Sequence, residues 1–321
     1  MTRRGEHAAH VWSVIRSGAA ARSDVAASWR RSALRHGLDP EGGRQAERVE
    51  ERRLRLAREA NADILQAAAP FLDRLSRALV RPGRCLLVTD RNGLILDGRM
   101  SRSDEALFRS ARLIPGEDWS EAAEGTNGIG TCLAEERRLT IFRDEHFRAA
   151  NTGLACTDVP IFGAGGEIVA ALDVSTARFD DDRATAALIL SLLVEAARGI
   201  ERRLLQAAFP GCRLVLVGEA AGGPELVAVD RDDLIVGASR AARRRPDLAG
   251  VSESCPVPLA DILGMAEEDP LLAAERRVLR QALARSRGNA AAAARSLGIG
   301  RATLYRRMQR AGLQPSELPA R

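Results

Sequence analysis

Residues 46–80 carry apolar side chains at helical spacing. Leu54, Leu56, Ile64, Leu65, Leu72, Leu75 and Leu79 predict one or two amphipathic helices. Residues 1–45 read as helical and partly exposed, ending at the breaker run GLDPEGG. At Arg84 the pattern changes to strands. CLLVTD, RNG and LILDG predict a strand, a tight turn and a strand, with Asn92-Gly93 as the hairpin signal. DEALFRSARL reads as a short helix, and EGTNGIGTCLAEER as a Gly-rich entry into another. LTIFR, GLACTDVPIF and EIVAALDVS return to strand, the last two joined by GAGG. DDRATAALILSLLVEAARGIERRLLQAA closes the region as a long amphipathic helix, with Asp180, Asp181 and Asp182 at its dipole-positive start. Hairpin-paired strands with helices at both ends predict an α+β domain over an antiparallel sheet. Beyond it, CRLVLV, PELVAVD and DLIVGAS read as three more strands, SRAARRR as a helix start and PDLAGVSESCPVP as linker.

Residues 266–314 read as helical throughout, followed by a frayed PSELPAR. LLAAERRVLRQALARSRG places Leu272, Leu279 and Leu283 on one stripe, with Val278 and Ala282 beside it. Asn289 is a natural N-cap for the Ala run that follows, and Gly298 stands where the chain must turn. A last helix from about Arg301 to Arg310 turns Leu304 and Met308 inward. Arg301, Thr303, Tyr305, Arg306, Arg307 and Arg310 face out. A short helix, a Gly turn and a basic second helix make a helix–turn–helix, whose guanidinium groups suit phosphates and guanine edges. An ordinary αα-hairpin with a solvated Arg face is the alternative.

Charge placement favours the first reading. Residues 271–321 hold eleven Arg against two acids, while the rest of the 321-residue chain is slightly acidic, for a net charge of +5. A basic terminal segment is the electrostatic footprint of nucleic-acid binding. All 48 basic residues are Arg. That excludes a Walker A lysine, a kinase strand lysine and a pyridoxal Schiff base from this chain. At 3% aromatic content, stacking platforms for single strands are not expected. Five scattered Cys without a CxxC fit reduced thiols rather than a disulfide frame or zinc site. No apolar run is long enough to span a bilayer, and the N-terminal VWSVI is too short for a signal peptide. These features predict a soluble cytoplasmic protein.

The string GNAAAAARSLGIGRATLYRRMQRAGL resembles the Fis-type helix–turn–helix. The resemblance implies a dimeric tail on double-stranded DNA, with base and phosphate contacts at Asn289, Arg301, Thr303 and Arg306; Tyr305, Arg307 and Arg310 complete the candidate DNA face. Gly300 stands where that family often has Asn or Ser, which weakens the cap of the last helix. EGTNGIGTCLAEERRLTIFRDEHF, LACTDVPIF and EIVAALDVST resemble the GAF sensor domain of the acetoin-catabolism-regulator type of sigma-54 activators. SDVAASWRRSALRHGLDP resembles their N-terminal signature, and PELVAVDRDDLIVGASRAARR the start of their PAS-like segment. That family carries an ATPase domain with a GAFTGA loop between sensor and tail. Here neither the loop nor the Walker lysine exists, and about 60 residues cannot hold the domain, so ATP-driven remodelling of polymerase is not expected.

The resulting division is an N-terminal helical segment (1–45), a GAF sensor (46–208), a PAS-like remnant or linker (209–265), a Fis-type helix–turn–helix (266–314) and a tail (315–321). Trp29-Arg30-Arg31 reads as a structural docking element. Candidate effector contacts are Trp119, Asn127, Thr131, Cys132, Phe142, His146 and Cys156. Core packing or loop hydrogen bonds are the alternative role of each, and a structural turn that of Gly125, Gly128 and Gly130. Cys132, Cys156, His146 and Asp158 raise a metal or thiol-redox site, which the spacing does not match. No catalytic residue, metal or cofactor is expected. The leading function is a DNA-binding transcription regulator with a small-molecule-sensing domain. It would act as a homodimer, with RNA polymerase as a further candidate partner and no membrane. The alternatives are a Fis-like architectural protein that uses the sensor fold only to dimerise, and a thiol-dependent GAF enzyme.

Overall fold

Helices form first along the chain, where apolar residues recur every three or four positions. The structure is a computed structural model and describes residues 2–17, 19–43, 48–265 and 269–313. The tail over 315–321 lies outside the described residues. Helices α1 (Arg3–Arg16), α2 (Asp24–Leu34), α3 (Glu51–Ala60) and α4 (Ala62–Leu79) lead into β1 (Arg84–Thr89) and β2 (Ile95–Met100). Then follow α5 (Glu105–Ser110), α6 (Glu121–Glu124), α7 (Gly128–Glu135), β3 (Leu139–Phe142), β4 (Ala155–Phe162), β5 (Ile168–Thr176) and the long α8 (Arg183–Ala208).

The five strands form one antiparallel sheet in the order β2-β1-β5-β4-β3. Strand alternation gives it two different faces. Leu86, Val88, Val159, Ile161, Leu172 and Val174 turn to one side. There they pack on Leu72 and Leu75 of α4 and on Ile189, Leu193 and Ile200 of α8. Cys85, Leu87 and Ile95 turn to the other side, with Phe108, Leu113, Trp119 and Ile129. Of the three aspartates before α8, only Asp182 caps it, accepting from Thr185 N at 2.8 Å. Asp181 turns back instead to Arg84 Nε (2.7 Å) and the Thr176 hydroxyl (2.7 Å).

The division at residue 45 does not separate two bodies. Val11, Trp29 and Ala33 bury against Phe147, and Trp29 Nε1 donates to the Glu145 carbonyl at 2.8 Å. After α8 a second sheet forms from β6 (Arg213–Ala220), β7 (Gly223–Val229), β8 (Leu234–Ala238) and a two-residue edge strand β9 (Val257–Pro258), with α9 (Arg240–Arg243) following β8. The segment read as linker is part of this structure. Leu248 and Val251 are buried, and Val257–Pro258 adds the edge strand. The short apolar clusters there are too sparse to show a period, which is why the pattern reads as linker.

The C-terminal unit begins at Pro258. It holds α10 (Leu259–Ile262), α11 (Pro270–Arg285), α12 (Ala290–Ser296) and α13 (Arg301–Arg310). Leu279, Leu283, Ala293, Ala294, Leu304 and Met308 form its own core. Val278, expected beside the buried stripe, is 51% exposed. Among the described residues no helix is long and apolar enough to cross a membrane.

Helix α7 sits very close to its neighbours. A Cβ on Gly130 would run into the Glu121 amide and stand 2.7 Å from the Trp119 carbonyl oxygen. Because those atoms are backbone, they cannot swing aside. Gly130→Ala is expected to destabilise the fold by about 1–3 kcal/mol, the usual cost of overpacking. Urea unfolding measures this, and parent-like stability would contradict the close seat.

Candidate functional site

The Gly-rich motif before α7 is consumed by the fold. Glu124 forms a buried ion pair with Arg148 (3.5 Å), whose guanidinium also donates to the carbonyls of Gly42 (2.8 Å) and Ala123 (2.9 Å). Asn127 Oδ1 caps α7 by accepting from Gly130 N at 2.8 Å, and its amide donates to the Gly125 carbonyl at 2.8 Å. The Thr131 hydroxyl accepts from the Asn127 amide N–H and reaches Glu121 at 3.3 Å. Glu121 is buried and binds Arg31 of α2 (2.7 Å), which also reaches Glu135 (3.1 Å). These carboxylates hold the Arg31 pKa above its ordinary value despite partial burial. The motif thus fastens α2, α6 and α7 together.

The sheet face beneath α7 is polar although fully buried. His146 Nδ1 lies 2.9 Å from the Arg143 carbonyl, which can only accept, so that nitrogen carries the proton. Its Nε2 is then the acceptor for the Cys156 thiol at 3.4 Å, and the Ser175 hydroxyl donates to the same sulfur at 3.1 Å. Burial pushes His146 down to about 4, so it is neutral at physiological pH. Burial likewise pushes the Cys85, Cys132 and Cys156 thiols well above their ordinary value. None is a ready nucleophile.

The sequence-predicted effector contacts are therefore partly brought together, but their polar atoms already have partners in the chain. His146 and Cys156 touch. Asn127 and Thr131 are cap and linchpin of α7. Trp119 is buried and donates to the Arg112 carbonyl at 2.7 Å. Cys132 packs with Leu139, Ile141 and Ala171. Phe142 stands apart, with the guanidiniums of Arg143 (5.5 Å) and Arg183 (4.9 Å) over its ring. Among the described residues no three His, Cys, Asp or Glu side chains converge on a metal-sized site.

In the C-terminal unit, Asn289 Oδ1 caps α12 through Ala291 N and Ala292 N, both at 3.1 Å. Gly300 begins α13 without a side-chain cap. On α13 Arg301 and Arg306 are exposed and Thr303 is half-buried; Arg301 stands 5.7 Å from the Tyr305 ring centroid, and Arg306 reaches the Thr303 hydroxyl at 3.5 Å. Arg307 and Arg310 differ: both pair with Glu275 of α11, Arg307 at 3.4 Å.

Two family models fit this arrangement. That of the MimR N-terminal domain matches residues 10–201, more than half of the chain. The chain belongs to the MimR N-terminal domain family. The second model, bacterial regulatory protein of the Fis family, matches residues 271–310. The acetoin catabolism regulatory protein of Cupriavidus necator is 33% identical over 174 residues, which cover 54% of this chain and 26% of that protein. The propane 2-monooxygenase operon transcriptional activator MimR of Mycolicibacterium smegmatis is 34% identical over 142 residues, covering 43% and 23%. The chain thus spans about a quarter of the length of these curated relatives. Among solved structures, that of the Escherichia coli DhaR(N)–DhaL complex matches with a TM-score of 0.50 at 14% identity, over 74% of this chain and 80% of that one, a likeness of fold alone. The two family models and the names of these relatives agree with the resemblance the sequence motifs carry, an acetoin-regulator-type N-terminal region followed by a Fis-type tail.

Sequence reasoning missed the feature of the MimR-type region with the largest electrostatic consequence. Asp158 of β4 and Asp173 of β5 stand opposite each other in register, both fully buried. Neither Asp158 oxygen has a hydrogen-bond partner, and Gly128 of α7 lies directly over one of them. The signal was present as one Asp in each of two otherwise apolar strands, but only the register makes them a pair. Burial and the neighbouring Asp173 carboxylate push Asp158 well above the carboxylate range, so the pair keeps a proton at neutral pH.

That proton makes stability depend on pH. Below the unfolded carboxyl pKa, both states are protonated. As pH rises above about 4, the unfolded chain releases a proton that the folded chain keeps, and stability falls. Asp158→Asn removes the Asp158 part of this slope and leaves that of Asp173, which burial also raises. The variant's stability gain over the parent is expected to be larger at about pH 8 than at about pH 5 in urea titrations. An equal difference at both would mean that Asp158 is ionised in the fold.

Proposed function

We propose that the protein is an effector-responsive, DNA-binding transcription regulator, in which a GAF-type sensor governs a dimeric Fis-type tail. The observation that carries this reading is the outward face of α13. Arg301, Tyr305 and Arg306 are exposed on a helix whose packed side is fixed by Leu304 and Met308, with the half-buried Thr303 beside Arg306. A recognition helix needs this arrangement: a fixed back and a cationic front that reaches base edges and phosphates. Arg307, Arg310 and the free amide of Asn289 would serve the phosphates beside it. On this reading residues 46–208 are the sensor, supported by the 1–45 helices, 209–265 a PAS-like sheet and 266–314 the DNA-binding domain.

The dimer contact is proposed on α11. Leu271 (85% exposed), Ala274 and Val278 fall at i, i+3 and i+7, an apolar stripe that a second copy would cover. ATP-driven action is not part of the proposal. The residues between sensor and tail are taken up by β6–β9 and α9, and the chain has no lysine for a P-loop. A thiol enzyme is disfavoured by the raised, buried thiols. The relatives named as regulators support a cytoplasmic regulator, for which RNA polymerase is a natural partner.

Two measurements test the reading. Arg306→Ala is expected to cost about 1–3 kcal/mol of duplex affinity by fluorescence anisotropy if it reaches a base edge. Duplex binding unchanged after removal of residues 271–321 would end the assignment. Val278→Asp is expected to shift sedimentation from dimer to monomer and to weaken duplex binding with it. A variant that stays dimeric moves the interface elsewhere.

A further inference from the structure

The seats foreseen for an effector are filled by the chain's own hydrogen bonds, but the N-terminal unit has room elsewhere. A cavity of about 300 Å³ lies between α8, the end of β4 and the second sheet. This is on the helix-covered side of the first sheet, away from the face under α7. Its volume is at the lower end of the range for small-molecule sites. Val159, Phe162, Val194, Ala197, Leu205 and Leu226 give it an apolar floor.

The rim is cationic. Arg138, Arg202 and Arg244 line it, are exposed, and have no ion-pair partner among the described residues. Arg240 is set deeper and held rigid. Its guanidinium lies over the Phe162 ring, 3.6 Å from the centroid, and one terminal nitrogen binds Glu136 at 3.0 Å. Its other terminal nitrogen, Nη1, is buried with no hydrogen-bond partner among the described residues. A buried, fixed guanidinium donor without an acceptor costs free energy that an incoming carboxylate would recover.

Besides Glu136, which Arg240 holds, Glu201 is the second carboxyl in the wall, and Arg137 and Arg198 also line it. It accepts from Phe162 N at 3.1 Å, and burial pushes it up to about 7, against the opposing pull of Arg240 and Arg198. A half-protonated Glu beside four or more guanidiniums does not neutralise the cavity.

We propose that this cavity binds a small organic acid: a carboxylate on Arg240 Nη1 and the rim arginines, with its apolar body on the Phe162–Leu205–Leu226 floor. Because α9 and β7 belong to the second sheet and α8 packs on the first, such a ligand ties the two sheets together. This deepens the effector reading above and rests on it for its purpose, though not for the binding itself.

Calorimetry on the full chain without DNA tests the site, using phenylacetate and hexanoate as probes. Phenylacetamide and hexanamide serve as neutral counterparts, and inorganic phosphate as an anion without an apolar body. Both acids are expected to bind saturably, one per chain. The amides are expected to bind at least about ten-fold more weakly, and phosphate not to saturate. Arg240→Met is expected to lose about ten-fold in acid affinity. Since that variant also loses the Glu136 pair, Arg202→Gln and Arg244→Gln, whose side chains make no ion pair among the described residues, are measured beside it. Each is expected to weaken binding about two- to five-fold. Glu201→Gln, which keeps the acceptor for Phe162 N and removes the acid, is expected to bind at least as tightly as the parent.

Equal binding of amides and acids, affinity unchanged in all three arginine variants, saturable binding of phosphate alone, or no acid binding would each overturn the proposal. Acid binding with no change in duplex affinity would leave the cavity site standing and remove its effector role. A duplex response to another metabolite from a chain that takes no acid would do the reverse.

Discussion

The close seat of α7 is the constraint from which much of the N-terminal unit follows. The helix lies so near the sheet and α6 that two of its positions have no space for a side chain: Gly128 above Asp158 and Gly130 against the backbone of residues 119–121. Once α7 is there, Asn127 must cap it, Thr131 must tie it to Glu121, and Glu121 must find Arg31 on α2. The same closeness seals the sheet face below, which leaves a His, a Cys, a Ser and two Asp side chains in the dry interior. Such a network is costly when partly satisfied. The raised pKa of Asp158 expresses that cost.

Sealing one face moves the room for a ligand to the other. The cavity beside α8 is bounded by elements of both sheets, so no single motif announces it. In the sequence Arg137 and Arg138 stand where a helix gives way to a strand, and Arg198 and Arg202 lie along the long helix. Only the fold gathers them around Phe162 and Leu226. Arginine also has a different use at each depth here. Arg148 is a buried clamp on backbone carbonyls, Arg84 a tether for the segment before α8, and Arg240 a stacked plate over an aromatic ring. The chain has no lysine, so all of this is done by planar, permanently charged groups suited to forked contacts.

No sequence signal marks the β1–β5 pairing, whereas the β1–β2 and β4–β5 pairings that it joins follow from signals readable in the sequence, Asn92-Gly93 and the GAGG turn. The C-terminal core was equally legible, since Leu304 and Met308 are four apart and Gly298 takes the left-handed turn at φ +68. The failures share one cause. Asn127 and Thr131 sit in a glycine-rich stretch and Trp119 and His146 in the loops around it, polar and aromatic residues of a kind common to pockets and to tightly packed turns. Which of the two they form depends on whether neighbours in the fold fill their hydrogen bonds, as the Arg143 carbonyl three residues away and the Cys156 thiol ten residues away do for His146. The Asp158–Asp173 pairing is a matter of register, which strand periodicity leaves open. The segment before β9 contributes only Leu248 and Val251 to a core, too few to show a period.

The grip of Glu275 on Arg307 and Arg310 bears on how the tail's charge should be counted. A carboxylate shared by two guanidiniums occupies a place a phosphate oxygen would take and offsets one of their two charges before any duplex arrives. Counterions condensed on DNA are released only by cations that are not yet paired. The formal excess of positive charge over residues 271–321 therefore overstates the number of ions exchanged on binding. The salt dependence of a duplex complex should be shallower than the arginine count alone implies, with Arg301 and Arg306 carrying a correspondingly larger part of it.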